Sequence, residues 1–234
     1  MITYGKKTER SYRYRFLLLS LIIFSVSLTA VSQPGNIRWS DDGDSYYGLE
    51  NNEIVLHNIP GNTSEVFLSS GQLTPQGEKE PLKISWFSFS GDHSRVLLFT
   101  NEQQVWRIKT KGDYWVKDMK TGSLRQVGKE LPASSLMFAK LSPDGRMVAY
   151  VSGNNIYAED LETSAVKALT TNGSVTMING TFDWVYEEEF FCRDGFRWSP
   201  DSKSIAYWQI DASSIKKYYM INNTDSIYSQ IIPL

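Results

Sequence analysis

Short alternations of apolar and polar residues, separated by polar turns, run through the chain after position 36. An alternation with a period of two predicts β-strands that bury one face. Residues 114–119 and 155–161 follow this pattern, and the turn signal at 120–122 closes a predicted hairpin. No ten-residue stretch beyond position 36 shows the period of an amphipathic helix. The pattern therefore predicts an all-β protein.

A similar phrase recurs four times, with an apolar residue, a serine, a polar turn and an alternating apolar strand in that order. The four copies occupy residues 37–49, 87–100, 139–151 and 196–210. Their shared serines, 50, 52 and 57 residues apart, are Ser40, Ser90, Ser142 and Ser199. A repeat of about 50 residues built from short strands is typical of a β-propeller. We therefore predict the N-terminal part of a β-propeller with about four blades, the last incomplete. A β-sandwich with similar turns is the alternative.

The first 32 residues follow the pattern of a secretory signal. A basic head at 1–15 precedes an apolar run at 16–30, and small residues follow where a signal peptidase cleaves. The apolar run is shorter than the ~20 residues that cross a bilayer as a helix. We therefore predict a signal peptide at 1–32, with an uncleaved signal anchor as the alternative, and a propeller region at 33–234. Such a protein is exported to the periplasm or the extracellular space, or stays anchored in the membrane.

Composition and charge exclude several classes of protein. The formal net charge is -2, so no electrostatic attraction to nucleic acid is expected. A single cysteine, Cys192, excludes an internal disulfide framework and a cysteine-based zinc site. Only two histidines are present, His57 and His93, and neither has a catalytic motif partner. We expect no metal, no cofactor and no nucleic-acid partner.

The strongest chemical signal is the acidic run in the segment DWVYEEEFF at 183–191. Three carboxylates, Glu187, Glu188 and Glu189, stand in a row between aromatic residues, which favours a packed surface. Neighbouring carboxylates in a partly dry site repel, and each raises the pKa of the other unless a cation is present. The run thus suits an ammonium ion or a hard metal, although calcium usually takes more oxygen ligands at loop spacing. A solvated charged face and a pair of glycosidase carboxylates are the alternatives.

The acidic segment and its surroundings resemble the N-terminal propeller of the dipeptidyl peptidase IV family, in the prolyl oligopeptidase group of serine peptidases. The segment DWVYEEEF is followed within a few residues by the blade phrase FRWSPD at 196–201. The similarity extends over most of residues 36–234 and includes the segments 105–107, 112–115, 141–145, 154–157, 179–184 and 219–223. The acidic motif is specific, whereas Ser-Pro-Asp-Gly turns occur in many propellers.

The resemblance implies a role for three residues. In the family, the second and third acids of the motif bind the α-ammonium group of the substrate N-terminus, and here these are Glu188 and Glu189. An arginine from an earlier blade steadies the acid pair and holds a substrate carbonyl, and its match is Arg107 in Val-Trp-Arg. The alternative for Arg107 is a surface arginine stacked on a tryptophan such as Trp106. Glu187 is expected to pair locally.

The resemblance also implies an exopeptidase that releases Xaa-Pro or Xaa-Ala dipeptides from peptides with a free N-terminus. The family's nucleophilic serine lies in a G-x-S-x-G elbow of a C-terminal α/β-hydrolase domain, and the 234 residues contain no such motif. We therefore expect no catalytic residue in this chain and no activity from the chain alone. Its partners would be the missing hydrolase domain and, in the full-length protein, a second copy in a homodimer. The alternative is a non-catalytic exported propeller that binds a protein or a glycan.

Overall fold

Most of the described chain forms short antiparallel strands. The structure, a computed structural model, describes residues 37–216, 218–224 and 227–233, and the predicted signal segment at 1–32 lies outside them. The strands are β1 (Arg38–Trp39), β2 (Ser45–Glu50), β3 (Glu53–Asn58), β4 (Thr63–Leu68), β5 (Ile84–Phe89), β6 (Arg95–Val105), β7 (Ile108–Asp118), β8 (Leu124–Val127), β9 (Leu136–Leu141), β10 (Met147–Ser152), β11 (Asn155–Asp160), β12 (Val166–Ala168), β13 (Met177–Asn179), β14 (Phe196–Trp198), β15 (Ile205–Tyr207), β16 (Gln209–Asp211), β17 (Tyr219–Asn222) and β18 (Gln230–Pro233).

Within the described residues, two short helices interrupt the strands. A 3-10 helix occupies Ser70–Leu73, and an α-helix, α1, occupies Trp184–Phe190. No helix among the described residues has both the length and the hydropathy needed to cross a bilayer.

The first twelve strands form three antiparallel blades of four strands each. Blade I contains β1–β4, blade II β5–β8 and blade III β9–β12, and within each blade the strands pair in chain order. Blades II and III also touch through two residue pairs between β7 and β9, Lys111 with Met137 and Gly112 with Leu136. The strands from β13 onward form two-stranded pairs that begin a fourth blade.

Apolar residues of the central strands are buried on both faces of a blade. On β6, Val96 and Leu98 pack between blades I and II, whereas Leu97 and Phe99 pack between blades II and III. Successive residues of a strand point to opposite faces, so a strand between two blades needs a continuous apolar run. Full burial of each such side chain contributes about 1.5–3 kcal/mol. This succession of blades with a core between each pair confirms the predicted all-β, incomplete β-propeller.

The four recurring serines occupy equivalent turns between the first two strands of successive blades. In blades II and III, Ser90 and Ser142 each donate a hydroxyl hydrogen bond to the aspartate two positions later, at 2.7 and 2.6 Å. Each hydroxyl also accepts from the backbone N–H five positions later, at 3.0 and 2.9 Å. These bonds close the turn and satisfy its polar groups. The repeat in the sequence therefore corresponds to one structural element, the turn between the first two strands of each blade.

The turn aspartates should make the protein less stable in acid. The hydroxyl groups of Ser94 and Ser90 lower the pKa of Asp92, and that of Ser142 lowers the pKa of Asp144. A carboxylate whose pKa is lowered in the folded state adds stability above its unfolded pKa, and this stability is lost as the pH falls through the folded value. We expect the free energy of unfolding, measured with urea, to decrease as the pH drops below about 4.

A neutral variant provides the control for this pH dependence. Asp92→Asn keeps a side-chain oxygen for the turn but cannot titrate, so its free energy of unfolding should depend less steeply on pH. Equal slopes for Asp92→Asn and the unsubstituted protein below about pH 4 would contradict the assignment.

Candidate functional site

Helix α1 lies in a segment that leaves the β-sheet between β13 and β14, which pair with the same neighbouring strand; we call this segment the excursion. β15 and β16 form a nearly continuous stretch that pairs with β14 on one side of Trp208 and with β13 on the other. β13 and β14 therefore pair with two successive parts of one strand, residues 205–211, which we call the facing strand. Residues 180–195 leave the sheet after β13 and return to it at β14. The acidic run is thus held outside the β-sheet hydrogen bonds while both of its ends are fixed to the sheet.

Two glycines bring the start and the end of the excursion into contact. The Gly195 N–H donates to the Gly180 carbonyl at 3.1 Å, and Trp208 on the facing strand bonds to both glycines, each time at 2.9 Å. A Cβ on Gly195 would lie 2.9 Å from the Gly180 carbonyl carbon, closer than real contacts allow. Gly180 has a φ of +74°, a conformation that glycine adopts without strain. We name this crossing point the neck, defined by Gly180, Gly195 and Trp208.

Local sequence defines both ends of α1. Asp183 is the N-cap residue, and its carboxylate accepts from the Tyr186 N–H at 3.1 Å. Phe191 ends the helix in the left-handed region with a φ of 56°, and the Cys192 N–H donates to the Tyr186 carbonyl at 3.0 Å. The helix has seven residues, about two turns, which is too short to show a helical period over ten residues of sequence.

The three glutamates of α1 have different environments. Glu187 is buried, and its Oε1 lies 3.6 Å from the Nε of Arg193. Burial raises the pKa of Glu187, the charge of Arg193 opposes this rise, and the charge of Glu188 adds to it. Glu188 is partly buried and Glu189 is exposed. The local partner expected for Glu187 is therefore Arg193.

Arg107 is carried to α1 by a long hairpin in blade II. β6 and β7 have 11 residues each, and their pairing continues to Val105 and Ile108. The pairing of β6 with β5 ends earlier, at Thr100. Trp106, with a φ of 50°, and Arg107 form the turn that joins the two strands. The hairpin thus extends beyond its neighbour β5 and presents Arg107 at its tip.

The structure brings Arg107 and Glu188 into direct contact. The Arg107 Nε lies 2.6 Å from the Glu188 Oε2, and the Arg107 side chain stays 80% exposed while that of Glu188 is 9% exposed. Most of the guanidinium group therefore faces solvent even though it pairs with a nearly covered carboxylate. In the part of the chain that the structure describes, the cation–π pairs involve Arg38, Lys140 and Arg193. The described contacts of Arg107 thus favour the acid partner over a tryptophan.

Three charged residues at the neck are not predicted from the sequence. The Asp194 carboxylate pairs through Oδ1 with the Lys140 Nζ and through Oδ2 with the Arg197 Nη1, the latter at 3.0 Å. Lys140 lies on β9 in blade III, 54 positions before Asp194. No local period or motif connects residues this far apart, so only the fold reveals the contact.

The two histidines make local contacts in blades I and II. His57 Nε2 lies 2.9 Å from Glu50 Oε1. His93 stacks on Phe89 with ring centroids 5.0 Å apart, and its Nε2 lies 3.7 Å from Asp41 Oδ2. Among the described residues, no group of three or more His, Cys, Asp or Glu side chains is arranged to hold a metal ion.

The fold and the site define a β-propeller segment in which an acidic helix, inserted in the fourth blade, meets an arginine at the tip of a hairpin from the second. Residues 90–232 match the protein family described as the dipeptidyl peptidase IV (DPP IV) N-terminal region. The chain belongs to this family, and the resemblance found in the sequence is confirmed.

Two relatives and one solved structure illustrate this membership. The chain is 31% identical over 225 residues to dipeptidyl aminopeptidase B of Saccharomyces cerevisiae, a match that covers 90% of the chain and 27% of that protein. It is 30% identical over 183 residues to dipeptidyl peptidase 4 of Trichophyton tonsurans, covering 78% of the chain and 22% of that protein. The crystal structure of Porphyromonas gingivalis dipeptidyl peptidase 4 matches 90% of the chain and 30% of its own, with 26% identity and a TM-score of 0.74. The chain spans about a quarter of the length of these curated relatives.

Proposed function

We propose that this chain is the substrate-recognition propeller of an exported serine exopeptidase that releases Xaa-Pro or Xaa-Ala dipeptides. Membership of the dipeptidyl peptidase IV family supports a dipeptidyl peptidase-related role. The signal pattern at 1–32 supports export. The observation that carries the proposal is the 2.6 Å ion pair between Arg107 and Glu188, which joins the hairpin of blade II to the acidic helix. Catalysis itself is assigned to a hydrolase domain that works with the propeller.

The charges of the site suit an α-ammonium group. Glu188 and Glu189 contribute two negative charges and Arg107 one positive charge, so one bound ammonium group makes the set neutral. Charge-assisted hydrogen bonds of this kind contribute about 1.5–3 kcal/mol each. An N-terminally blocked peptide brings no cation and fewer donors, so it leaves the carboxylates without a partner. The acid pair would therefore select peptides by their free N-terminus.

Arg107 can serve the acid pair and the substrate together. Its Nε is engaged by Glu188, and its exposed guanidinium group has further N–H donors for a substrate carbonyl oxygen. A planar guanidinium held at one end by an ion pair fixes the direction of the remaining donors. An ammonium site and a carbonyl site at a fixed separation would measure a set number of residues from the N-terminus, as dipeptide release requires.

A blocked substrate tests this proposal in the full-length gene product. N-acetylation of Gly-Pro-p-nitroanilide removes the charge and two N–H donors of the N-terminus and adds a small acyl group in their place. We expect kcat/KM for the acetylated form to be lower by at least about 100-fold, the loss of two charge-assisted hydrogen bonds. A serine-directed inhibitor should abolish hydrolysis of the free substrate. Equal kcat/KM values for the two substrates would overturn the role of the acid pair, and a folded protein that hydrolyses neither would favour the non-catalytic propeller.

A further inference from the structure

A second set of charges fixes the end of the excursion that carries the acid pair. The Asp194 carboxylate lies between two cations, Lys140 on one oxygen and Arg197 on the other. Asp194 also forms an isolated antiparallel bridge with Thr181, at the opposite side of the excursion. The Thr181 hydroxyl donates to the Arg193 carbonyl at 3.1 Å. We name Lys140, Asp194 and Arg197 the neck clamp, because they join the returning chain to blade III.

Lys140 lies in a partly buried environment with several defined contacts. Its Nζ donates to the Phe138 carbonyl at 3.0 Å and lies 3.9 Å from the ring centroid of Phe196. The charged groups that face it are Asp194 and Arg197, and Tyr114 of β7 lies within the electrostatic reach of Asp194. Burial lowers the pKa of Lys140 to about 8, with Asp194 opposing the shift. The clamp is therefore a partly buried ion pair between blades III and IV.

Apart from the pair of the buried Glu187 with Arg193 and the ring contact of Tyr186 with Phe182, most of helix α1 faces solvent. Five of its seven residues are exposed, namely Trp184, Val185, Tyr186, Glu189 and Phe190. Its far side is tethered by the pair with Arg107. A seven-residue helix is about 10 Å long, so a tilt of roughly 10° at the neck would move its far end by about 2 Å. A displacement of about 1 Å at a binding group can cost about 100-fold in rate, so the angle of the helix matters.

We propose that Lys140 and Asp194 are positioning residues that hold α1 at the angle where Glu188 and Glu189 together receive the substrate ammonium group. This inference rests on the proposed function, because it concerns the same acid pair. Neither Lys140 nor Asp194 needs to touch the substrate. Loss of the clamp would loosen the neck, spread the helix over several orientations and weaken substrate binding more than the chemical step.

The test compares three variants of the full-length gene product on Gly-Pro-p-nitroanilide. Lys140→Met removes the charge of the clamp, and Lys140→Arg keeps it. The matched control is Arg125→Met, because Arg125 forms a partly buried pair with Glu159 at 2.6 Å that joins blades II and III outside the neck. For each variant, KM, kcat and the thermal unfolding midpoint are measured.

We expect Lys140→Met to raise KM about tenfold while kcat stays within about twofold, and Lys140→Arg to restore KM to within about twofold. Arg125→Met should lower the unfolding midpoint without changing KM. A wild-type KM in Lys140→Met would overturn the proposal. So would an equal rise of KM in Arg125→Met, since both variants would then act only through general loss of stability.

A pH series decides the question even if Lys140→Met does not fold. Lys140 loses its proton near pH 8, whereas an arginine keeps its charge. The substrate amine titrates in both proteins, so the ratio of their KM values isolates residue 140. We expect the wild-type KM to rise relative to that of Lys140→Arg between about pH 7 and 9, and a constant ratio would overturn the proposal. The alanine variants of Glu188 and Glu189 show which proposal a negative result overturns. If the KM ratio is constant and these variants also leave KM unchanged, the proposed function fails. If the ratio is constant but these variants raise KM, only the proposed role of the clamp fails.

Discussion

Alanine at Glu188 or at Glu189 is expected to reduce kcat/KM for Xaa-Pro substrates by at least about tenfold, mainly through KM. Each change removes one carboxylate from an ammonium group that needs both, a loss of about 1.5–3 kcal/mol. Glu188→Ala should be the more damaging, because Glu188 is nearly covered and pairs with Arg107. Without this partner the Arg107 guanidinium is no longer held in place for the substrate carbonyl. The measurement is a comparison of kcat and KM on Gly-Pro-p-nitroanilide in the full-length gene product.

Two kinds of control test whether the effect depends on the carboxylate charge of Glu188 and Glu189 and on their place in the site. Glu188→Gln and Glu189→Gln keep the side-chain volume and should lose nearly as much kcat/KM as the alanine variants. Glu162→Ala removes an exposed carboxylate from the turn between β11 and β12 in blade III and should leave KM unchanged. An unchanged kcat/KM in both alanine variants, in proteins that fold normally, would remove the acid pair from substrate binding.

Gly180→Ala is expected to lower the free energy of unfolding by about 2–5 kcal/mol. Its φ of +74° costs a residue with a Cβ about 1–2 kcal/mol. The new Cβ would also lie 2.7 Å from Ile156 Cγ1 and 2.9 Å from Val151 Cγ2, in the core between blades III and IV. Overpacking of this kind costs a further 1–3 kcal/mol, roughly, because a close-packed core has little room to adjust. Urea unfolding measures the sum.

Gly43→Ala is the matched control, because Gly43 has almost the same φ, +72°, but nothing within 4 Å of its Cβ position. It should show the backbone cost alone, about 1–2 kcal/mol. If the two variants lost the same free energy, the contact of the neck with the core would not contribute. A Gly180→Ala protein as stable as the unsubstituted one would contradict the geometry of the neck.

The strands and turns of the propeller could be predicted because their causes are local. A strand between two blades needs apolar residues on both faces, and the first two strands of each blade are joined by the same serine-aspartate turn. Both features leave a repeating pattern in the sequence. The segments 114–119 and 155–161 lie almost entirely within β7 and β11 of the structure. Helix α1 could not be predicted from its period, because it is too short for one. Its sequence signal is Asp183 as the N-cap; its end at Phe191 has a left-handed φ that the residue type does not predict.

The contacts of the site depend on the fold rather than on neighbouring residues. The family resemblance named Arg107 and Glu188, but their ion pair requires the long hairpin of blade II to reach the fourth blade. The link of Lys140 to Asp194 joins two blades and has no sequence pattern at all. The excursion also cannot be predicted from neighbouring residues, because β13 and β14 are brought together only by their shared pairing partner at 205–211.

Because α1 separates β13 from β14, which both pair with the strand at 205–211, the parts of the site become ordered in sequence during protein synthesis. The ribosome produces β13, α1 and β14 before it produces the facing strand at 205–211, with which both β13 and β14 pair. Until that strand is available, β13 and β14 lack their shared pairing partner, so we expect the acidic helix between them to have no fixed orientation. A nascent chain that is free to fold only as far as residue 204 would therefore contain all strands of its first three blades while its acid pair is still unplaced.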